Sequence, residues 1–269
     1  MAIDSSNIPE PESRSESGIR KLFDGIAQDY DRLNHLLSLG IDRSWRRRAL
    51  RWIVEPSVKQ DILDIACGTG DFSIAIARKA AADSVVTGVD LSDGMLAVMD
   101  EKVRKEALEG NVRCAGVKAA DLSRKVSGKP GAEIRFEQGD SECMRFDDCS
   151  FDRATIAFGI RNFEHREAAL KEILRVLKPG GRLVILELSV PSFPPARWAY
   201  NLYFTKVLPL IGGWISGDKA AYSYLPASVL KFPPKDEWMR TMSSCGYVSV
   251  RHESFTFGIC RMYVADKQQ

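Results

Sequence analysis

The sequence predicts an α/β fold in which a doubly wound, mostly parallel sheet is extended by a C-terminal antiparallel hairpin. Three observations carry this prediction. From residue 62 onward, short apolar runs alternate with helix-like or turn-like segments. A glycine-rich turn follows the first run, and residues 247–266 have the pattern of two strands with a short connection. The apolar runs and the hairpin together predict a seven-stranded sheet.

Each element follows from a local pattern. The strand-like runs are ILDIA (62–66), SVVTGVD (84–90), EIRFEQGD (133–140), FDRATIAF (151–158) and GRLVILEL (181–188). A helix is predicted over 168–178, because its apolar residues fall on one face and a Pro-Gly-Gly sequence ends it. Those apolar residues are Leu170, Ile173, Leu174 and Leu177.

The amino-acid composition reduces the number of functional classes that need to be considered. The 38 Lys and Arg residues and 36 Asp and Glu residues leave a formal net charge of +2, which argues against a general nucleic-acid-binding protein. The six cysteines form no C-x-x-C pair and are expected to be reduced intracellular thiols. The three histidines, at 35, 165 and 252, are too scattered to predict a metal site.

The chain is expected to consist of a disordered tail and one domain, with a long connection inside the domain. Residues 1–18 have no apolar core of the signal-peptide type, so we expect a disordered tail on a cytoplasmic protein. Residues 19–269 are predicted to form one domain, in which 19–60 is an N-terminal helical segment and 190–232 a helical cover over the substrate. The connection 109–132 is long for a compact domain and is expected to add a helical turn or a mobile flap.

The turn after the first run indicates a nucleotide-like ligand. Gly68 and Gly70 match the start of a G-x-G-x-x-G fingerprint, but Ser73 occupies the third position. Asp64 and Asp71 flank the turn, and no Lys or Arg lies between 61 and 77. Because carboxylates disfavour a pyrophosphate, a ligand with an adenosine group and no phosphate fits better.

Asp90 ends the second run, where an acid can accept hydrogen bonds from both ribose hydroxyls. The alternative is a helix cap, because the sequence Asp90-Leu-Ser-Asp-Gly also suits an N-cap. In an open α/β sheet, ligands bind at the carboxyl ends of the strands. The segments 68–70, 139–141 and 157–162 should therefore converge with Asp90 on one crevice.

Two longer motifs add a family resemblance. The turn D-x-A-C-G-T-G-D resembles that of class I S-adenosylmethionine-dependent methyltransferases. The segment 30–34, YDRLN, together with Ser38 and Trp45, and the segment 175–189, RVLKPGGRLVILELS, resemble the two signatures of the ubiquinone and menaquinone biosynthesis C-methyltransferases. The sequence departs from the family pattern at Leu33, where Met is usual, at Asp42, where His is usual, and at Ala157, where Ser is frequent.

The resemblance implies an activity and a set of site residues. It implies methyl transfer from S-adenosylmethionine to a ring carbon of demethylmenaquinol, with no metal. The residues implied for the cofactor are Gly68, Thr69, Gly70, Asp90, Asp140, Ser141 and Ala157. The acceptor side is implied for Tyr30, Arg161 and Asn162. The alternatives are C-methylation of a ubiquinone-precursor benzoquinol, RNA methylation, or a cofactor-binding protein without activity.

The roles of the acceptor-side residues follow from the chemistry of a poorly nucleophilic ring carbon. Arg161 cannot act as a base but can stabilise a developing phenolate, and Asn162 can donate to the second ring oxygen. The alternatives are that Arg161 pairs with a surface acid and that Tyr30 is a packing residue. No general base is identified from the sequence.

Two stretches indicate contact with a lipid surface. The segment 43–52 places Trp45, Ala49 and Trp52 on one helical face among arginines, which suits either anionic lipid or RNA phosphates, or a solvated helix packed on the core. The apolar stretch 198–215 is interrupted by Lys, Pro and Gly-Gly and is interpreted as a cover over the quinol.

The expected partners are a polyprenylated quinol, a membrane surface that the protein contacts transiently, and a second copy in a homodimer, with no nucleic acid.

Overall fold

One twisted sheet organises the computed structural model, which describes residues 16–28, 30–31, 38, 40–115, 131–191, 193–202, 225 and 228–269. The strands are β1 (Asp61–Ile65), β2 (Val85–Asp90), β3 (Arg113–Cys114), β4 (Glu133–Gln138), β5 (Phe151–Ala157), β6 (Leu177–Leu188), β7 (Tyr247–Phe255) and β8 (Cys260–Lys267). The α-helices that bear on the site and the core are α1 (Glu16–Ile26), α2 (Asp42–Ile53), α3 (Asp71–Ala77), α4 (Asp93–Leu108), α5 (Arg166–Val176), α6 (Pro194–Leu202) and α7 (Lys235–Ser244).

The strand order confirms the predicted α/β class. The strands lie in the order β3-β4-β2-β1-β5-β6-β8-β7, and every pair is parallel except β6–β8 and β7–β8. The predicted C-terminal hairpin is therefore confirmed as β7 and β8. The order reverses around β1, whose neighbours are β2 on one side and β5 on the other. Such a reversal opens a crevice at the carboxyl ends of the strands.

The predicted count of seven strands is wrong by one, because the described residues contain eight. The additional strand, β3, has two residues, Arg113 and Cys114, which pair with Glu133 and Ile134 of β4. Two residues cannot show the alternation from which a strand is predicted. The strand exists because β4 offers an edge for it to pair with.

Two hydrophobic cores cover the two faces of the sheet. Along β1, Ile62 belongs to the core packed by α2, α3 and α4, whereas Leu63 and Ile65 belong to the core packed by α5 and α7. This division follows from the period of two along a strand. Asp64 therefore lies on the same face as Ile62, beneath α3.

Helix α5 ends two residues earlier than the predicted end at residue 178. The helix ends at Val176, and Leu177 is the first residue of β6, although it continues the apolar stripe of the helix. Leu177 is fully buried and pairs in register with Phe151 of β5. The apolar pattern could not separate the two assignments, because a buried leucine satisfies both.

Helix α2 and most of α1 lie within the segment 19–60, while α1 begins at Glu16, inside the predicted tail. On α2, Trp45 and Ala49 are buried as the apolar face predicts, while Trp52 is half-buried under the guanidinium groups of Arg182 and Arg251. The predicted tail 1–18, the connection 109–132 and the cover 190–232 fall largely outside the described residues. Within the described part of the chain, no helix is both long enough and apolar enough to span a bilayer.

Candidate active site

A cavity opens where β1, β2 and β5 end, at the reversal of the strand order. Seven of the ten residues predicted for the site line it: Tyr30, Gly68, Asp90, Asp140, Ser141, Ala157 and Asn162. Thr69, Gly70 and Arg161 lie next to these residues in the chain but are not among the lining residues. Thr69 and Arg161 have side-chain hydrogen-bond partners away from the cavity, and Gly70 is constrained by its backbone angle and by Met99.

The turn between β1 and α3 depends on its glycines. Gly68 and Gly70 have φ angles of +56° and +81°, which L side chains rarely adopt. A Cβ atom on Gly70 would lie 2.6 Å from Cγ of Met99 on α4. Gly68 itself lines the cavity, so Gly70 shapes the turn while Gly68 presents backbone to the ligand space.

Asp64 lies beneath the turn, and the sequence analysis gave it no role. Its side chain is buried, and Oδ2 accepts a hydrogen bond of 2.5 Å from the Ser73 hydroxyl. Burial raises the pKa of Asp64 to about 7. Ser73, which breaks the dinucleotide fingerprint, is therefore the partner of an acid under the turn.

Asp90 is held by backbone amides on both sides of the crevice. Its Oδ2 accepts from the Gly68 N–H at 2.8 Å, and its Oδ1 accepts from the Ser92 N–H at 2.9 Å. The cap of α4 is Ser92, whose hydroxyl accepts from the Met95 N–H, so Asp90 itself does not cap the helix. Burial raises the pKa of Asp90 above its ordinary value.

The ends of β4 and β5 complete the floor of the cavity. The N–H of Gly139 donates to the Asp90 carbonyl, and Asp140 Oδ1 accepts from the N–H of Glu142 at 2.8 Å, closing the turn that carries Ser141. Opposite this turn, a Cβ atom on Gly159 would lie 2.6 Å from Cβ of Ala66. The β1 and β5 turns therefore approach closely at the cavity.

Arg161 lies behind the cavity wall in a buried cluster. Its backbone N–H donates to Glu187 Oε2 at 3.0 Å, and its Nη1 donates to Glu187 Oε1 at 2.9 Å and to the carbonyl of Phe158. Its Nε donates to the Ser228 hydroxyl at 3.2 Å. Glu187 is fully buried at the end of β6. The acid that pairs with Arg161 is thus an internal one, and the pair fixes the turn that carries Asn162.

The N-terminal segment forms one side of the cavity. Ile19, Arg20 and Phe23 of α1 line it together with Tyr30, whose ring packs against that of Phe23 at 6.0 Å between centroids. The YDRLN motif pointed to Tyr30, but no local pattern pointed to the α1 residues. Only the predicted helical character of the segment 19–60 could have suggested that one face of α1 covers something.

Asp24 fastens α1 to the start of α4. Its Oδ1 accepts from the Ser92 hydroxyl at 2.5 Å and from the Gly94 N–H at 3.0 Å. Arg20 pairs with Asp93 beside it. His165, one of the three scattered histidines, is the exposed N-cap residue of α5 and also lines the cavity.

Comparison with known proteins decides the family. The family model described as the ubiE/COQ5 methyltransferase family matches residues 11–267. The chain belongs to the ubiE/COQ5 methyltransferase family. It is therefore an S-adenosylmethionine-dependent methyltransferase, as the motifs around Gly68 and Tyr30 predicted.

Relatives of this methyltransferase cover nearly its whole length. It is 41% identical over 256 residues to a demethylmenaquinone methyltransferase of Bacteroides fragilis, covering 95% of both chains. It is 41% identical to a demethylmenaquinone methyltransferase of Thermus thermophilus, covering 91% of this chain and 100% of the relative. It is 43% identical to the ubiquinone/menaquinone biosynthesis C-methyltransferase UbiE of Geobacter sulfurreducens, covering 93% of this chain and 88% of the relative.

Solved structures share the fold at low sequence identity. A methyltransferase of Thermotoga maritima, described as a possible histamine N-methyltransferase, superposes with a TM-score of 0.60 at 17% identity, covering 93% of this chain and 100% of that one. The [4+2]-cyclase SpnF superposes with a TM-score of 0.63 at 15% identity, covering 94% and 97%. Because a cyclase and a methyltransferase superpose about equally well, these likenesses show the fold alone.

Proposed function

We propose that this methyltransferase transfers a methyl group from S-adenosylmethionine to a ring carbon of demethylmenaquinol, giving menaquinol. The choice of demethylmenaquinol as the acceptor is supported most directly by the relatives named demethylmenaquinone methyltransferase, which are 41% identical over nearly the whole chain. The cavity supports the donor, because predicted cofactor residues from β1, β2, β4 and β5 line one space.

The polar groups of the cavity fit an adenosine-containing ligand. Each oxygen of Asp90 accepts one backbone N–H and keeps further lone pairs, which suits the two ribose hydroxyls. Asp140 and Ser141 also line the cavity, and an acid there suits an adenine amine. Ala157 has only backbone polar groups to offer. Within the described residues, no group of three His, Cys, Asp or Glu side chains is placed to hold a metal ion.

The acceptor side must hold a ring carbon against the methyl group and favour phenolate character. S-adenosylmethionine, when bound, supplies an electrophilic methyl group on a sulfonium sulfur. Ionisation of the neighbouring hydroxyl makes the ring carbon nucleophilic, and the ring hydrogen leaves as a proton once the new carbon–carbon bond has formed. We assign contact with the second ring oxygen to Asn162 and the lining of the acceptor space to Tyr30. We propose that Arg161 favours the phenolate from behind the cavity wall, where it pairs with Glu187 and fixes the turn that carries Asn162.

The donor assignment is tested by Asp90→Ala. Loss of a charged hydrogen-bond partner should weaken S-adenosylmethionine binding by about 1.5–3 kcal/mol, measured by calorimetry on the purified protein. Asp100→Ala is the matched control, because Asp100 pairs with Arg104 on the exposed side of α4. Equal affinities for Asp90→Ala and the wild type would remove Asp90 from the cofactor site.

The acceptor assignment is tested in cells and with the purified protein. Cells lacking the protein should accumulate demethylmenaquinone, and the purified protein should methylate a short-chain demethylmenaquinol. A benzoquinol precursor of ubiquinone is the second candidate, because the UbiE relative of Geobacter sulfurreducens is named for both quinones. Faster methylation of the benzoquinol would favour that candidate.

A polyprenylated acceptor also implies contact with a bilayer surface. Each methylene exposed to water costs about 0.8 kcal/mol, so a long prenyl tail stays in the membrane. Helix α6 carries Trp198 and Leu202, which are 69% and 44% exposed. We propose that α6 belongs to the docking face of a cytoplasmic protein that binds the membrane transiently.

A further inference from the structure

The acidic character of the cofactor turn poses an electrostatic problem. Asp71 lies at the start of α3, and Asp31, next to Tyr30, lies close enough to share a cation with it. Both carboxylates are only partly exposed, at 30% for Asp31 and 28% for Asp71. Two like charges in such surroundings repel one another unless a cation lies between them.

Lys102 of α4 is that cation. Its Nζ donates to Asp31 Oδ2 at 2.8 Å, to Asp71 Oδ1, and to the Thr69 hydroxyl at 3.3 Å. The Thr69 hydroxyl in turn donates to Asp31 Oδ1 at 2.5 Å. Lys102 lies 31 residues after Asp71 in the chain, so no pattern within the turn could reveal it.

A second cation approaches Asp71 from the other side. Arg46 Nη1 lies 3.4 Å from Asp71 Oδ2 and 3.6 Å from Asp42 Oδ2. Arg46 comes from α2 and contacts no oxygen of Asp31 in the described structure, whereas Lys102 contacts both Asp31 and Asp71. Lys102 is thus the cation that joins the N-terminal segment to the cofactor turn, in addition to the direct hydrogen bond between Thr69 and Asp31.

Tyr30 is the residue that this junction positions. Its ring lies over Gly68, with Cε1 3.9 Å from the site that a Gly68 Cβ would occupy. Tyr30 lines the cavity, and the neighbouring residue Asp31 is tied to Thr69 and Lys102. Movement of Asp31 away from the turn would carry the Tyr30 ring away from the ligand space.

We propose that Lys102 is a positioning residue for methyl transfer: by neutralising Asp31 and Asp71 together, it holds Tyr30 against the cofactor turn and thereby strengthens S-adenosylmethionine binding. This rests on the proposed function, because it concerns the same cavity. Thr69, predicted to bind the cofactor, acts in this junction through its hydroxyl and does not line the cavity.

The test removes the charge and keeps the length of the side chain. Lys102→Met should raise the Kd for S-adenosylmethionine about tenfold, measured by calorimetry without an acceptor, as loss of a charged hydrogen-bond donor does. Lys102→Arg should bind within about threefold of the wild type. Arg104→Met, which removes one positive charge from the exposed side of the same helix, should bind as the wild type does.

A compensating substitution separates charge neutralisation from packing. With Lys102→Met in place, Asp71→Asn removes the repulsion on Asp31 and should recover most of the lost affinity, as a double-mutant cycle will show. No recovery, or equal losses in Lys102→Met and Arg104→Met, would overturn the proposal. So would a Kd for Lys102→Met within twofold of the wild type.

A second measurement needs no ligand. Amide hydrogen exchange in α1 and at Tyr30 should be faster in Lys102→Met than in the wild type, with exchange in α5 unchanged. Unchanged exchange in α1 and at Tyr30 would overturn the positioning role. A wild-type protein that fails to bind S-adenosylmethionine would contradict the proposed function, and the exchange result would still decide the role of Lys102.

Discussion

Asp64 and Ser73 form a buried pair beneath the cofactor turn, and the raised pKa of Asp64 makes protein stability depend on pH. In the unfolded chain an aspartate titrates near its ordinary pKa of about 4, whereas in the folded protein the pKa of Asp64 is about 7. Between these values the folded state holds a proton that the unfolded state has lost. The contribution of Asp64 to stability is therefore fully present below pH 4 and is lost as the pH rises towards 7.

We expect Asp64→Asn to remove this pH dependence. The free energy of unfolding of the variant, relative to the wild type, should increase between pH 5 and pH 7 by roughly 1 kcal/mol or more, since one pKa unit corresponds to about 1.4 kcal/mol. Urea unfolding at several pH values measures this. Asp83→Asn, at an exposed position, serves as the control. A difference between variant and wild type that does not change with pH would contradict the pKa assignment.

Arg161→Ala should lower both the methyl-transfer rate constant and the free energy of unfolding, and the two effects can be measured independently. We expect the methyl-transfer rate constant to fall by about two orders of magnitude, as on loss of an oxyanion-stabilising donor, while cofactor affinity stays near that of the wild type. Glu187 would lose its buried partner, so the free energy of unfolding should also fall by about 3–5 kcal/mol. Single-turnover kinetics with a short-chain quinol and urea unfolding measure the two effects.

The double variant Arg161→Ala with Glu187→Gln provides the control for stability. Because it removes the unpaired charge, it should recover part of the lost stability without recovering the rate. A rate constant within threefold of the wild type for Arg161→Ala would show that the buried pair has a structural role alone.

At the scale of elements, the turn between β1 and α3 was predicted from its glycines, but part of the reason for Gly70 lies outside the turn, at Met99 of α4. The φ of +81° at Gly70 and the distance of 2.6 Å between Met99 Cγ and the site that a Gly70 Cβ would occupy both exclude a side chain. We expect Gly70→Ala to lower the free energy of unfolding by about 2 kcal/mol through backbone strain and overpacking.

Gly25 is the matched control for this substitution. It lies in α1, and a Cβ there would meet nothing within 4 Å. Gly25→Ala should be neutral or should stabilise the protein by up to about 1 kcal/mol, the difference in helix propensity. Urea unfolding of both variants makes the comparison, and equal stabilities for the two would contradict the packing argument at Gly70.

How far the sequence predicted each element depends on where its partners lie. Strands β1, β2, β4 and β5 were predicted within one or two residues, because burial on a parallel sheet leaves an apolar run. Strand β3 was missed, since two residues carry no period. Helix α5 was misjudged at one end, because Leu177 is buried in either assignment.

The prediction of the site residues was limited in the same way, by the distance along the chain between each residue and its partners. Asp90 and the glycines were found because their roles depend on neighbours in the chain. The partners of Thr69 and Arg161 were not found, because Asp31 and Lys102 lie more than 30 residues from Thr69, and Glu187 lies 26 from Arg161. Contacts at that separation are made by the topology of the sheet and leave no local pattern.

At the scale of the whole molecule, the balanced charge leaves apolar contact to carry much of any membrane docking. Trp198 and Leu202 lie one turn apart on α6, with exposed Arg197 beside them. We expect the double substitution Trp198→Ser and Leu202→Ser to reduce sedimentation with anionic vesicles and turnover of a long-tailed quinol. A tail-less quinol in solution should still be methylated at the wild-type rate.

Val248→Ser is the control for this prediction, because Val248 is 40% exposed on β7, in a different part of the fold. It should leave both vesicle binding and turnover unchanged. Equal losses on the long-tailed and tail-less quinols would instead place α6 in the wall of the active site.

The position of β1 between β2 and β5 has a consequence for synthesis on the ribosome. The backbone N–H of Asp61, at the start of β1, bonds to Asp152 of β5, which lies 91 residues later in the chain. Because a ribosome adds about 5–20 residues per second, β5 is synthesised roughly 5–20 s after β1, and until then the edge of β1 that pairs with β5 is unpaired. During that interval an apolar strand edge next to the cofactor turn is open to aggregation, so production of this enzyme should depend on chaperones that bind nascent chains.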